Sequence, residues 1–169
     1  READEYGHAD GGKALIDNFT AAFGNAFDSS IATVTNTIED DELELAGVRM
    51  NIVRTADAFD VEIPEPNAVY THMLGHDCHS IVAGADHADT IVAQLRGYQE
   101  AGIDLVLTSH YTPEDLKDVQ TKIDYLEDLK AIAAQSADAA SFKAAVQQRF
   151  PEDAGENYLD MTCGFFFAE

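Results

Sequence analysis

Hydrophobic and polar residues follow two different patterns along this chain of 169 residues. In the first half, short apolar stretches alternate with polar residues, which is typical of half-buried β-strands. Residues 11–25 are an exception, because their apolar positions repeat with the period of a helix. Strands are predicted over residues 31–35, 59–63 and 67–70, and residues 43–53 alternate around Gly47 as a hairpin or a bent strand.

The second half is dominated by helical periodicity. A helix is predicted over residues 88–101 and ends at Gly102, and a buried strand follows over 103–107. The residues Thr112-Pro113-Glu114-Asp115 predict the start of a long helix toward Ala134, with Thr112 as its cap and acidic residues in its first turn. Further helices are predicted over 141–150 and 156–167.

The order of these elements predicts the fold class. Strands come first, and helices then interleave with one more strand, which indicates an α/β or α+β layered domain with helices on the outer face of a β-sheet. The length fits a single domain over residues 1–169. No apolar stretch reaches the 18 or so residues that a membrane-spanning helix needs, so no membrane span is predicted.

The charge narrows the choice of partners. Thirty-two acidic residues face ten basic ones, giving a formal net charge of −22. Such a surface repels phosphate backbones, which argues against nucleic acid as a partner, and it disfavours anionic membrane surfaces. Cation binding and adaptation to high salt are functional explanations of the charge, and solubility through mutual repulsion is the alternative.

Two cysteines carry little information about compartment. Cys78 and Cys163 are far apart in the chain and form neither a disulfide framework nor a four-cysteine zinc motif. The chain begins with Arg1 and shows no signal peptide, which predicts a processed, trimmed or engineered start. The localisation therefore stays open between a cytoplasmic and an exported protein.

Potential metal ligands are concentrated in residues 71–80. This segment holds three histidines, an aspartate and a cysteine, all of which can bind transition metals. If the segment were helical, His72, His76 and His79 would share one face, and three imidazoles with one water commonly hold a catalytic zinc. The alternative is a polar loop in which the histidines hydrogen-bond the backbone.

Several motifs resemble the metallo-β-lactamase superfamily, the αββα metallohydrolases. The opening residues 6–12 are similar to that family's H-x-H-x-D-H-x-G-G signature, with His8 and Asp10 matching its second histidine and its aspartate. Residues 105–110 resemble the strand that ends in the family's last metal histidine, here His110. The resemblance covers nearly the whole chain, but it corresponds to the later part of the family domain, without the usual N-terminal β-rich part.

This resemblance implies hydrolysis of an ester, lactone or amide by a metal-activated hydroxide. The implied two-metal site is incomplete: Tyr6 replaces the first histidine, the third is absent, and Ala56 stands near another. His72 could substitute for the bridging aspartate. A rearranged site for zinc or another divalent transition metal is the resulting hypothesis, and no catalytic residue is assigned. The candidate ligands are His8, Asp10, His72, His76, His79 and His110.

Two functions from different classes remain. The first is a metal-dependent hydrolase with a small-molecule substrate, and the second is a non-catalytic relative that serves as a binding or assembly module. Because half of a sandwich would expose an apolar sheet face, the sequence also predicts a homodimer.

Overall fold

The computed structural model forms two compact units, residues 1–40 and 41–169. In the first unit, the described residues within the predicted helix 11–25 are helical up to Ala21, and a short 3₁₀ helix spans Gly24–Ala26. The predicted strand 31–35, His8 and Asp10 lie outside the described residues. The structure describes residues 13, 16–17, 20–21, 24–30, 38, 40–55, 59–72, 75–109 and 111–167.

The second unit contains a five-stranded sheet in the order β1-β2-β3-β4-β5. The first four strands pair antiparallel, whereas β4 and β5 pair parallel. The predicted hairpin around Gly47 is confirmed, because Ala46 and Gly47 both have positive φ angles, 53° and 83°, as a tight turn between twisted strands requires. The strands are β1 (Glu42–Leu45), β2 (Val48–Arg54), β3 (Phe59–Ile63), β4 (Ala68–Thr71) and β5 (Leu105–Thr108).

The described residues of the second unit also form four helices. The first helix, Ala85–Ala101, is capped by Gly102, whose left-handed φ of 64° confirms the predicted stop signal. The third and fourth follow the predicted boundaries to within two residues. The helices are α1 (Ala85–Ala101), α2 (Leu116–Ala133), α3 (Ala139–Arg149) and α4 (Glu156–Phe166).

The start of α2 differs from the prediction. Its cap is Asp115, which forms a reciprocal capping box with Asp118, so Thr112 is not the cap. The reason is that Glu114 is held in an extended conformation beside β5, where its backbone N–H and C=O both bond to Val106 at 2.9 Å. The first side chain free to cap the helix is therefore that of Asp115.

The two faces of the sheet have different surroundings. Val69 and Val106 lie at most 1% exposed in the core that the helices form, together with residues such as Leu126 and Phe142. Strand register places an apolar row on the opposite face, which includes Val48, Ile52, Val61, Tyr70 and Leu107. The layered α+β fold with helices on one sheet face is thus the predicted one.

Candidate functional site

Three strand ends meet at one edge of the sheet. Since β2, β4 and β5 run in the same direction, their C-terminal ends form a common edge, which we call the C-terminal edge. His72 directly follows β4, and its carbonyl accepts hydrogen bonds from Ser109 N at 3.2 Å and Thr108 Oγ1 at 3.3 Å. Ligand-binding residues gather at such edges in sheets with parallel strands. His110 is the next residue after Ser109 and lies outside the described residues.

The segment after His72 is not helical where the structure describes it. Residues 75–80, here called the histidine loop, turn at His76 and Asp77 and then run beside Ala154. His79 N donates to Ala154 O at 2.8 Å, and Ala154 N donates to Asp77 O at 3.0 Å. Because the described part of the loop is a turn that bonds to the distant segment around Ala154, the condition for three histidines on one helical face is not met.

His76 is held by a buried carboxylate. Glu114 Oε1 accepts two hydrogen bonds of 2.9 Å, one from the His76 backbone N–H and one from its Nδ1. The Glu114 side chain is fully buried, and its Oε2 has no hydrogen-bond partner among the described residues. Since the carboxylate accepts, Nδ1 carries a proton and Nε2 is the nitrogen left for a ligand or a proton.

Negative charges surround the same imidazole. The hydrogen bond to Glu114 is the main reason that the pKa of His76 is raised, and the nearby Asp118 and Asp77 add to this effect. Asp118 Oδ1 lies 3.6 Å from His76 Nδ1. The Tyr111 ring meets His76 edge to face at 5.9 Å between centroids, and its hydroxyl bonds to Asp77. His76 is therefore oriented on two sides while its side chain stays one-third exposed.

His79 has the opposite environment. It is only 3% exposed, and its Nδ1 lies 3.1 Å from the Tyr125 hydroxyl. Burial lowers the pKa of His79, which favours a neutral ring. This arrangement is typical of a histidine that anchors a loop to the core.

A buried lysine fixes the inner part of the histidine loop. Lys122 is 2% exposed, and its Nζ donates to Cys78 O at 2.5 Å and to Ser80 Oγ at 3.1 Å. Its ammonium also lies 4.5 Å from the centroid of the Tyr125 ring, at cation–π distance. Burial lowers the pKa of Lys122 to about 8.

Cys78 does not have the environment of a nucleophile. Its Sγ donates to the carbonyl of His79 at 3.4 Å, and burial raises the pKa of the thiol. A reactive cysteine needs a stabilised thiolate, so Cys78 behaves as a packing residue.

The described residues fit a metal ion only in part. His76 has the carboxylate support that metal-binding histidines commonly have, and the orphaned Oε2 of Glu114 lies behind it. Nevertheless, no group of three or more His, Cys, Asp or Glu side chains among the described residues could hold a metal. The remaining candidates His8, Asp10 and His110 are not among these residues.

Three important residues of this region were not predicted from the sequence. Glu114 looked like a first-turn acid of a helix, and its partnership with His76 depends on the pairing with β5. Lys122 and Tyr125 share the inner face of α2 with Val119, Ile123, Leu126 and Leu129. A lysine in that register was the available signal for a buried ammonium.

Comparisons with known proteins give matches among solved structures. No family model and no curated protein matches the sequence. Among solved structures, a metallo-β-lactamase from Pontibacter korlensis shares 16% identity over 66% of this chain and 54% of its own, with a TM-score of 0.41. The metallo-β-lactamase TMB-1 shares 16% identity over 68% of this chain and 55% of its own, with a TM-score of 0.36.

A double mutant of the sec-alkyl sulfatase PisA1 also matches. It shares 13% identity over 80% of this chain and 27% of its own, with a TM-score of 0.49. This chain thus spans about half, or less, of the length of the structures it matches. Separately, none of the described helices is both long and apolar enough to cross a membrane.

Proposed function

We propose that this chain is a metallo-β-lactamase-like hydrolase-fold protein with a rearranged metal site, which hydrolyses an ester, lactone or amide. The observation that carries the proposal is the pair His76–Glu114, in which a buried carboxylate orients a partly exposed imidazole. Metal-binding and proton-transferring histidines need this kind of support. A small-molecule substrate is the proposed partner.

The proposed ligands are His72, His76 and His110, and His8 and Asp10 stay predictions from the sequence alone. When bound, zinc or another divalent transition metal would lower the pKa of a water molecule and polarise a carbonyl. The chain's own part is to hold the imidazoles ready. Glu114 fixes the tautomer of His76, and the hydrogen bonds to the His72 carbonyl fix the backbone at the end of β4.

His79 has a supporting role in this proposal. Its Nδ1 is engaged with Tyr125 and its ring is buried, so it anchors the histidine loop instead of contributing a ligand. Lys122 supports the same stretch through Cys78 and Ser80. A loop fixed at its inner end limits the positions that His76 can take at its outer end.

Metal content of the purified protein tests this proposal. Elemental mass spectrometry on protein never exposed to chelator should find about one zinc, iron or manganese per chain. The double variant H76A/H110A should lose the metal, whereas the control H87Q should retain it, because His87 lies outside the proposed ligand set. Absence of metal from the wild-type protein, or equal metal in the double variant, would refute the proposal.

The second candidate function is a non-catalytic binding or assembly module. It is favoured by the lack of a three-ligand group among the described residues and by the apolar sheet face. On that face Leu45, Val48 and Phe59 are 61%, 39% and 49% exposed, and apolar side chains exposed on one shared face favour an interaction surface. The proposed occupant of this face is a second copy of the chain.

Molar mass in solution tests the dimer. Light scattering after size exclusion should give the mass of two chains for the wild type and of one chain for F59D. The control is M161D in α4, because Met161 is 50% exposed, about the same as Phe59, but lies on a helix. A wild-type mass of one chain, or a dimer in F59D, would contradict the assembly.

A further inference from the structure

A cleft lies on the helix-covered side of the sheet, away from the histidine loop. It has a volume of about 350 Å³ and lies between α1 and strands β2 to β4. This volume is at the lower end of the range for small-molecule sites. Its wall and floor include Val53, Asp60, Val69, Gln94, Gly97 and Tyr98.

The floor of the cleft carries a buried carboxylate. Asp60 is 4% exposed, and its Oδ2 accepts from Tyr98 Oη at 2.5 Å and from Gln94 Nε2 at 2.9 Å. Gln94 Nε2 also lies 2.7 Å from Tyr98 Oη, so the three side chains form one network. Burial raises the pKa of Tyr98, and the tyrosine therefore remains a donor to the carboxylate across the physiological pH range.

Within the described part of the chain, the Asp60 carboxylate has no cationic partner. No Lys or Arg among the described residues forms an ion pair with Asp60, whereas exposed acids such as Glu127 and Asp160 do have such partners. Oδ1 accepts no hydrogen bond from the described residues, although Oδ2 accepts two. A buried carboxylate is costly unless a positive charge or further donors satisfy it.

The helix wall leaves room for a ligand. Gly97 lies in the middle of α1, where glycine is unfavourable, and a Cβ built on it would meet nothing within 4 Å. The neighbouring wall is apolar through Val53 and Val69. Arg54 and Glu62 line the same cleft with exposed, opposite charges that leave its outer part close to neutral.

We propose that this cleft binds a small organic ammonium ion, with the ammonium on Asp60 and a short aliphatic body against Gly97 and the valines. An ammonium supplies the positive charge and the donors that Oδ1 lacks, and the apolar walls match a hydrocarbon chain. The proposal concerns a site that shares no residue with the histidine loop and does not depend on the proposed hydrolysis.

A matched set of three probes tests the ligand class. Hexylamine, hexan-1-ol and hexanoate have similar bodies but differ in the charge of the head group. In amide-detected NMR titrations at 150 mM salt and pH 7, hexylamine should shift residues of β2, β3 and α1 and bind about tenfold more tightly than hexanol. Hexanoate should not bind. Equal binding of all three probes would overturn the proposal.

Two pairs of variants separate this site from the general attraction of an acidic protein for amines. D60N should remove the tenfold preference for hexylamine, whereas E100Q removes an equal charge from an exposed position of α1 and should leave the preference intact. G97L should fill the cleft and abolish binding. Its control is G164L, because Gly164 is also a helical glycine with open space at its Cβ.

Each variant result decides the question. A preference for hexylamine that survives in D60N, or falls equally in E100Q, would assign the binding to surface charge. Unchanged binding in G97L, or the same loss in G164L, would place the amine outside the cleft. Because G97L and G164L stand on exposed helix positions, they test the cleft even if D60N proves unstable.

Discussion

The outer and inner halves of the histidine loop show how one short segment can serve two purposes. In the outer half, His76 is one-third exposed, bonds to Glu114 and has a raised pKa. In the inner half, His79 is buried, bonds to Tyr125 and has a lowered pKa. The two imidazoles lie three residues apart in the chain, yet their surroundings favour opposite protonation states.

The difference arises from the elements that each half contacts. The outer half faces Tyr111, Glu114 and Asp118 around the start of α2, and the two carboxylates bring negative charge. The inner half rests on Lys122 and Tyr125 one to three turns further along the same helix, where the core begins. Proximity in the sequence therefore says little about the chemical role of either histidine.

The largest expected effect is the loss of stability on replacing His79. We expect H79A to lower the free energy of unfolding by about 3 kcal/mol, because it leaves a cavity and an unpaired Tyr125 hydroxyl. H76A should lower it by less, since the side chain is one-third exposed and the backbone N–H of residue 76 still donates to the buried Glu114 carboxylate. Urea unfolding at pH 7.5 measures both, and equal losses would contradict the division of the loop.

The sequence was sufficient for most of the fold because the relevant signals are local. Alternation around Gly47 predicts the hairpin of β1 and β2, and the helical period predicts α2 with its buried Leu126 and Leu129. Such patterns depend on neighbours within a few residues, so they can be recognised in the sequence without knowledge of the tertiary structure.

The site was not predictable to the same extent, because its contacts join distant residues. His76 and Glu114 are 38 positions apart, and they meet only because Glu114 pairs with Val106 beside β5. The prediction of a helix starting at Thr112 treated Glu114 as a surface acid. The three histidines looked equivalent in the sequence, whereas burial separates His79 from His76.

The second-largest expected effect is the pH dependence of stability that comes from Lys122, which contacts the inner half of the histidine loop. Lys122 has a pKa lowered to about 8, below its usual value of about 10.5, so the unfolded chain binds more protons than the folded chain between these two values. The contribution of Lys122 to stability therefore rises with pH in this window. We expect the stability of the wild type relative to K122M to increase by about 2 kcal/mol from pH 7.5 to 9.5.

The comparison with K122M is needed because other groups titrate nearby. Burial also raises the pKa of Cys78 and of Cys163, and these thiols have the opposite effect on stability as pH rises. Urea unfolding of both proteins at each pH cancels these common contributions. The control is K117M, because Lys117 is an exposed lysine of the same helix. A pH-independent difference for K122M would show that Lys122 is not a buried, proton-binding anchor.

A third effect distinguishes the two histidines by titration. We expect NMR titration of the ring nitrogens to show His76 with a pKa above the usual 6.5 and His79 with a pKa below it. E114Q should lower the pKa of His76 and leave that of His79 unchanged, since Glu114 is the main cause of the His76 shift. An unchanged His76 in E114Q would remove the basis for assigning Glu114 an orienting role.

The same shifts give opposite pH dependences of stability. The raised pKa of His76 contributes stability that is fully present below pH 6.5 and is lost as pH rises through the folded-state pKa. The lowered pKa of His79 means that stability falls as pH decreases below 6.5, because the unfolded chain then takes up the proton first. On acidification, the stability that H76A loses relative to the wild type should therefore increase, and the stability that H79A loses should decrease.

The smallest expected effect comes from Asp118, which acts on His76 through its charge at 3.6 Å. D118N should lower the pKa of His76 by less than E114Q does, and it should change the unfolding free energy by under about 0.5 kcal/mol. The start of α2 should persist, because an asparagine oxygen can still accept from Asp115 N as the Asp118 carboxylate does at 3.1 Å. D124N, a charge removal elsewhere on α2, is the control. If D118N lowered the pKa of His76 as much as E114Q, the general negative field around the outer half, and not the hydrogen bond to Glu114, would govern this imidazole.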